Sequence, residues 1–412
     1  MLMRDVFLRR QPILTRRLDV WGYQVSASHP SFVQPPPALS GSATHPDPSE
    51  AEARLLFDAL AEVGLPALVG DSIALIELSP AAALAAQDLL AGLATPDRLI
   101  PLLTLEPPPD RQLLLDAIAA LRSHGFRVGT AGVPSDEVLQ AVTRTIDLVA
   151  VEYSRANTRL DTLASHLRAG RALLLVTGIE DYQAFDRCRE QRVTLFAGTF
   201  LALPRPVRAL RAPTSRALLL LLARLQDPEV EFSELEALIS LDVGLTYRLL
   251  RLVNTVWLGR RRIESVRQAL LVLGTRLVSA WVTLLLMADI PDKPQELLTL
   301  AIVRARMAEL VAAARGRTSR ESAFLVGLLS VLDALLDQPM SDLVAALPLA
   351  DELSAALLHR EGELGLVLDI VLAYERGDWL RLPASGLRPS LLSSAYVDAL
   401  AFAREIESAL AA

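Results

Sequence analysis

Leu173-Leu174-Leu175-Val176-Thr177-Gly178-Ile179-Glu180 is an apolar run that breaks at a glycine and ends on a carboxylate. Its first part, from Ala172 to Val176, reads as a strand, and the pattern around it repeats. From Val6 to about Pro204, short apolar runs alternate with amphipathic or Ala/Leu-rich segments, the mark of parallel strands joined by helices. The other candidate strands are Val6 to Leu8, Val20 to Val25, Ile73 to Ile76, Leu99 to Leu105, Arg127 to Gly129, Leu148 to Val151 and Thr194 to Phe196. Between them the spacing predicts helices over Ser49 to Val63, Pro80 to Leu93, Pro109 to His124, Asp136 to Thr145, Thr158 to Arg168 and Asp181 to Glu190. Ser49 and Asp136 stand where helix N-caps belong.

Eight strands with intervening helices suit a (β/α)8 TIM-like barrel, interrupted by a Pro-rich surface loop from Ser28 to Pro48. After Pro204 the pattern changes. Pro204, Pro206 and Pro213 with several arginines mark a linker, and from Ser215 onward the periodicity is helical with no strand alternation. The expected organisation is α/β followed by all-α: a barrel over 1–204, a linker over 205–214 and a helical domain over 215–412.

The 412 residues are 52% hydrophobic, enough for well-buried cores in two or three domains. A net charge of −7 argues against a nucleic-acid partner, which needs a basic surface. Of the 41 basic residues all but Lys293 are arginine, and they are scattered. The lone Cys188 cannot form an internal disulfide, which fits a reducing compartment. Met1 to Asp5 lacks the apolar core of a secretory signal, and the apolar runs fall short of the roughly 18 residues of a membrane span. These features predict a cytoplasmic protein without membrane insertion.

Arg10-Gln11-Pro12-Ile13, Gly22-Tyr23, Gly125-Phe126-Arg127-Val128, the 173–180 run, Phe196-Ala197-Gly198 and Pro204 follow one another in an order and spacing that resembles an EAL domain, the phosphodiesterase fold for cyclic di-GMP. The resemblance implies a set of carboxylates at the strand ends that hold a divalent metal and activate a water. This chain departs from that set. Gln24 stands in place of the signature glutamate, Glu77 in place of an asparagine, Leu103 in place of an acid, and Ala131-Gly132 in place of an Asp-Asp pair. Ala150 takes the place of a lysine and Glu152 of an aspartate, Thr177 takes the place of a glutamate, and Ala197 replaces a glutamine. Glu106 and Glu180 remain as acids.

In the second half, the stretch from Leu241 to Thr255 is similar to the signature of an HDOD domain, as are Ile263-Glu264-Ser265-Val266, Phe324 to Leu329 and Tyr374 to Trp379. The whole chain therefore resembles the EAL-HDOD two-domain signalling family. Leu245, Leu249, Leu252 and Val253 form a core stripe at helical spacing. Asn254 is expected to cap a helix C-terminus in the left-handed conformation, followed by Thr255. Arg248, Arg251 and the Arg260-Arg261-Arg262 run either contact an acidic partner or form a solvated charged face. No His-Asp pair follows Gly327, and the five histidines are dispersed, so no metal site is expected.

The functional expectation is a catalytically inactive signalling or scaffold protein that acts through protein contacts in a cyclic di-GMP-related pathway. The alternative is a cyclic di-GMP sensor without hydrolysis, and the weakest reading is an active phosphodiesterase. No cofactor is implied. The partners expected are one or more proteins of unknown identity, with cyclic di-GMP disfavoured and a homo-oligomer left open.

Overall fold

The computed structural model describes residues 6–29, 48–93, 95–106, 108–156, 158–205, 213–227, 229–256, 262–290 and 293–411. The first five residues, most of the Pro-rich loop, most of the linker and Arg260-Arg261 of the arginine run lie outside them. The chain divides into two compact units, Met1–Leu201 with Arg388–Ser394, and Ala202–Leu387 with Ala395–Ala412.

The first unit is a closed barrel of β1 (Phe7–Leu14), β2 (Val20–Ser28), β3 (Ile73–Leu78), β4 (Leu99–Thr104), β5 (Gly129–Ala131), β6 (Leu148–Glu152), β7 (Leu173–Ile179) and β8 (Leu195–Gly198), hydrogen-bonded in sequence order. The pairs from β2 to β8 are parallel, whereas β1 is antiparallel to both of its neighbours. The cause is local. Thr15 to Asp19 make a tight turn, with Thr15 N–H donating to Asp19 O at 2.8 Å, and so short a connection admits only an antiparallel return.

The barrel interior is packed by alternate residues of successive strands: Ile13, Leu75, Ile100 and Leu102, Leu148 and Ala150, Leu175, and Leu195 and Ala197. Strand side chains alternate faces, so the same strands turn their other residues outward onto the helices. Leu103, fully buried, belongs to that outer set.

Several helical expectations change on inspection. Pro80 to Leu93 is two helices, Pro80–Ala85 and Gln87–Leu93, with the break at Ala86. Ser135, not Asp136, caps the Asp136–Val142 helix by accepting the Val138 N–H at 3.3 Å, which leaves Asp136 in the first turn where its charge favours the helix dipole. Ser49 lies inside the Pro48–Val63 helix instead of capping it. Two short helices without a periodic signature, Leu65–Val69 and Tyr153–Ala156, fill connections after Gly64 and after β6.

The second unit is helical. The Thr275–Ala288 helix is buried along most of its length, and its Trp281 packs against Phe324 and Phe402 at ring-centroid distances of 5.4 and 5.9 Å. Gly327 lets the Arg320–Leu329 helix lie directly on the Gln295–Arg315 helix, because a Cβ there would meet Arg304 O at 2.5 Å. At that crossing the buried Arg304 holds Glu375 through two hydrogen bonds of 2.6 and 2.8 Å and reaches Ser330 Oγ at 3.2 Å. Lys293 is similarly enclosed: its Nζ lies 2.7 Å from Asp337 Oδ1 and donates to Ala334 O at 2.6 Å.

Candidate functional site

In a barrel the C-terminal strand ends and the loops behind them form the mouth, where chemistry is ordinarily placed. Two groups of side chains assemble there. In the first, Gln24 of β2 donates through Nε2 to Glu77 Oε1 of β3 at 2.8 Å. Glu77 opens to solvent yet is crowded by protein, and this desolvation pushes its carboxyl above the ordinary carboxylate range, with the Gln24 hydrogen bond pulling partly back.

The second group is built around Arg155. Its guanidinium donates to Glu106, just beyond β4, and its Nε lies 3.2 Å from Glu152 Oε2 at the end of β6. The Tyr153–Ala156 helix places Arg155 one turn beyond Glu152, so one cation bridges two strand ends. The hydrogen bond to Glu106 and the two nearby carboxylates hold the guanidinium in its charged form. Gly132 and Gly178 flank the group with φ of 112° and 69°, and a Cβ at Gly178 would meet Glu152 Cγ at 3.3 Å. The positive φ at Gly178 favours glycine, and a Cβ there would press on the Glu152 side chain.

The other sequence-derived positions fall elsewhere. Ala150 and Ala197 are part of the barrel core, with Ala131 packed against it. Leu103 faces away from the interior, Thr177 donates weakly to Val151 O at 3.4 Å, and Glu180 is exposed. Arg155 was not singled out by the sequence; the signal was its position three residues after the acid that ends β6. Among the described residues no three His, Cys, Asp or Glu side chains converge closely enough to hold a metal ion. As they stand, Glu106 and Glu152 do not fit a divalent cation, because Arg155 already occupies the position between them.

In the helical unit, Asn254 does not take the left-handed conformation and is not a C-terminal cap. It sits within the Val243–Val256 helix, where its Nδ2 donates to Leu250 O and Ile263 O at 2.7 Å each and its Oδ1 accepts Ile263 N–H at 2.8 Å. Arg248 is committed within the chain to Asp289, through hydrogen bonds of 2.5 and 2.7 Å. Thr255 Oγ1 donates to Arg251 O at 3.0 Å. The Arg251 side chain has no carboxylate partner among the described residues.

Residues 213–347 match the HDOD domain family. The chain is 36% identical over 241 residues to the cyclic di-GMP phosphodiesterase CdgJ of Vibrio cholerae, a match that covers 57% of this chain and 55% of that protein. It is 23% identical to the uncharacterized protein YuxH of Bacillus subtilis, with 91% of each covered. Solved structures with a similar barrel include the EAL-domain protein YkuI of Bacillus subtilis in complex with c-di-GMP and calcium, at 16% identity and a TM-score of 0.37, covering 61% of this chain and 68% of that one. The FimX EAL domain of Xanthomonas citri with c-di-GMP has 13% identity and a TM-score of 0.38, covering 50% and 90%.

The likeness to CdgJ corrects the expectation that the chain is not an enzyme, since that relative is named a phosphodiesterase and points to an enzyme. Among the described residues no single helix is long and apolar enough to cross a membrane. The chain thus joins an eight-stranded barrel to a helical unit whose residues 213–347 match the HDOD domain, an arrangement similar to that of EAL-HDOD two-domain proteins.

Proposed function

We propose that this chain acts in cyclic di-GMP signalling through a protein contact made by its HDOD half, with a barrel over residues 1–204, a linker over 205–214 and the contact-making half over 215–412. The observation that carries the reading is a set of large apolar side chains left open to solvent in that half: Leu241, Val243 and Tyr247 are 83%, 81% and 65% exposed. Apolar side chains clustered on a surface mark interaction sites when they adjoin polar residues. The test is a comparison of cells carrying the wild-type gene or a Leu241→Ser, Tyr247→Ser double variant. The reading expects equal protein levels and a lost cyclic di-GMP-dependent phenotype, and an unaltered phenotype would overturn it.

A second reading, hydrolysis of cyclic di-GMP at the barrel mouth, is favoured by the identity with the Vibrio phosphodiesterase. Arg155 is the mouth group suited to a phosphodiester, since its planar fork matches phosphate oxygens and would exchange a carboxylate for the ligand on binding. Incubation of the purified full chain with cyclic di-GMP and Mg2+ or Mn2+ should then yield the linear dinucleotide, and Arg155→Ala should weaken substrate binding. Product formation at the rate of a buffer control would remove this reading.

A further inference from the structure

The sequence marks Arg248, Arg251, Asn254 and Thr255 alike, but the structure commits three of them within the chain. What stays available along the Val243–Val256 helix is polarised. At its N-terminal end stand Leu241, Val243 and Tyr247. Asp242 between them is exposed and caps the helix start, accepting the Leu245 N–H at 3.0 Å. A residue in the position of Leu241 ordinarily packs on the fourth helical residue, yet that residue is Thr246, whose hydroxyl is engaged with Ile239 O at 3.0 Å. Leu241 is thus left without an apolar neighbour of its own helix start.

Val243, Tyr247 and Arg251 follow at four-residue spacing, so they share one stripe of the helix. Two turns of helix carry that stripe about 12 Å from Val243 to Arg251. There Arg251 has no carboxylate partner among the described residues. Asn254 pins Ile263 to this end of the helix, which brings the exposed Arg262 beside it, against one exposed acid, Glu264. The surface is therefore apolar at one end and basic at the other.

We propose that this stripe docks a helix of a different protein, one that presents apolar side chains at one end and carboxylates about two turns further on. The proposal rests on the protein-contact reading above and names the partner's chemistry. The apolar end supplies the burial and the arginine end sets direction, since a reversed helix would leave both the carboxylates and the guanidinium without partners. Tyr and Arg are also the residue types in which binding energy concentrates.

The test places a photo-crosslinking residue at Val243 of the full chain in its native cell, with Leu271 and Leu366, exposed on other helices of the HDOD half, as reference positions. Cross-linked peptides are sequenced, synthesised and titrated against the purified protein by fluorescence anisotropy. The expected peptide from Val243 is amphipathic and acidic. Tyr247→Ala should weaken it at least tenfold, and Arg251→Glu should weaken it and abolish the salt dependence of binding, with thermal unfolding of both variants unchanged. A cross-link from Val243 to a second copy of this chain, a peptide lacking carboxylates, or binding indifferent to Arg251→Glu would overturn the proposal. Protein adducts at Val243 whose peptide lacks carboxylates would sink this proposal and leave the protein-contact reading standing; no adduct at Val243 would sink both.

Discussion

Asn254 treats Ile263 as a strand treats its neighbour, accepting its N–H at 2.8 Å and donating to its carbonyl at 2.7 Å. One side chain thereby satisfies both main-chain groups of a residue that is itself buried. Replacing it leaves those groups without partners, and each such loss costs about 1–3 kcal/mol. Asn254→Ala should therefore lower stability by about 2–4 kcal/mol, measured by urea denaturation. Asn254→Asp should recover only part, because its carboxylate accepts from Ile263 N–H but faces the Ile263 carbonyl without a proton to donate.

Lys293 is the only lysine in the chain, and it pairs with Asp337 where their side chains are 12% and 7% exposed. Removing one member strands a buried charge. Lys293→Met is expected to cost about 3–5 kcal/mol in a denaturant titration. In the native protein an amine-reactive reagent should leave Lys293 unmodified by peptide mapping, and should label it once urea unfolds the chain.

Glu77 provides a pH-dependent contrast. Desolvation by the surrounding protein holds its folded carboxyl above the ordinary carboxylate range although the residue is open to solvent, so the folded state holds the proton longer than the unfolded chain does. Its contribution to stability is complete below the unfolded value and declines as pH rises through the folded one. Glu77→Gln keeps an oxygen for Gln24 and removes the charge. It should raise the denaturation midpoint at neutral pH and leave it unchanged near pH 3, and an equal gain at both would refute the assignment.

Cys188 is buried within the Tyr182–Glu190 helix, and burial pushes its thiol up to about 11, with Arg187 opposing weakly. The thiolate is the reactive form. At pH 8 iodoacetamide should modify native protein only as fast as it unfolds, whereas denatured protein should react at the ordinary rate of a free thiol.

Strands such as β3, β4, β6 and β7 were legible because each is a short apolar run, whereas β1, with Arg9, Arg10 and Gln11 inside it, was expected only over Val6 to Leu8, and β5 meets its expected run only at Gly129. What escaped depends on contacts or on single-residue geometry. Ser135 displaces Asp136 as a cap through a one-residue offset that composition does not resolve. Tyr153–Ala156 is too short to show a period, and with it went Arg155, whose part at the mouth requires β4 and β6 to flank the short β5. Asn254 has the residue type of a cap, and only the return of the chain at Ile263 gives its amide a different use. Glu77 and Gln24, by contrast, were found as departures at strand ends, and the structure brings them together.

The pairing of β1 with β8 has a consequence in time. Leu14 of β1 pairs with Phe196 of β8, so the barrel cannot close until Phe196 has been synthesised. At ribosomal rates, the wait between these two residues is about 10–40 s. During that interval β1 has β2 on one side and an unsatisfied edge on the other, the condition that invites pairing with a neighbouring nascent chain. Leu14 is two residues past Pro12, and proline lacks the N–H that a foreign strand would need. The first strand thus carries its own protection against association before its proper partner emerges.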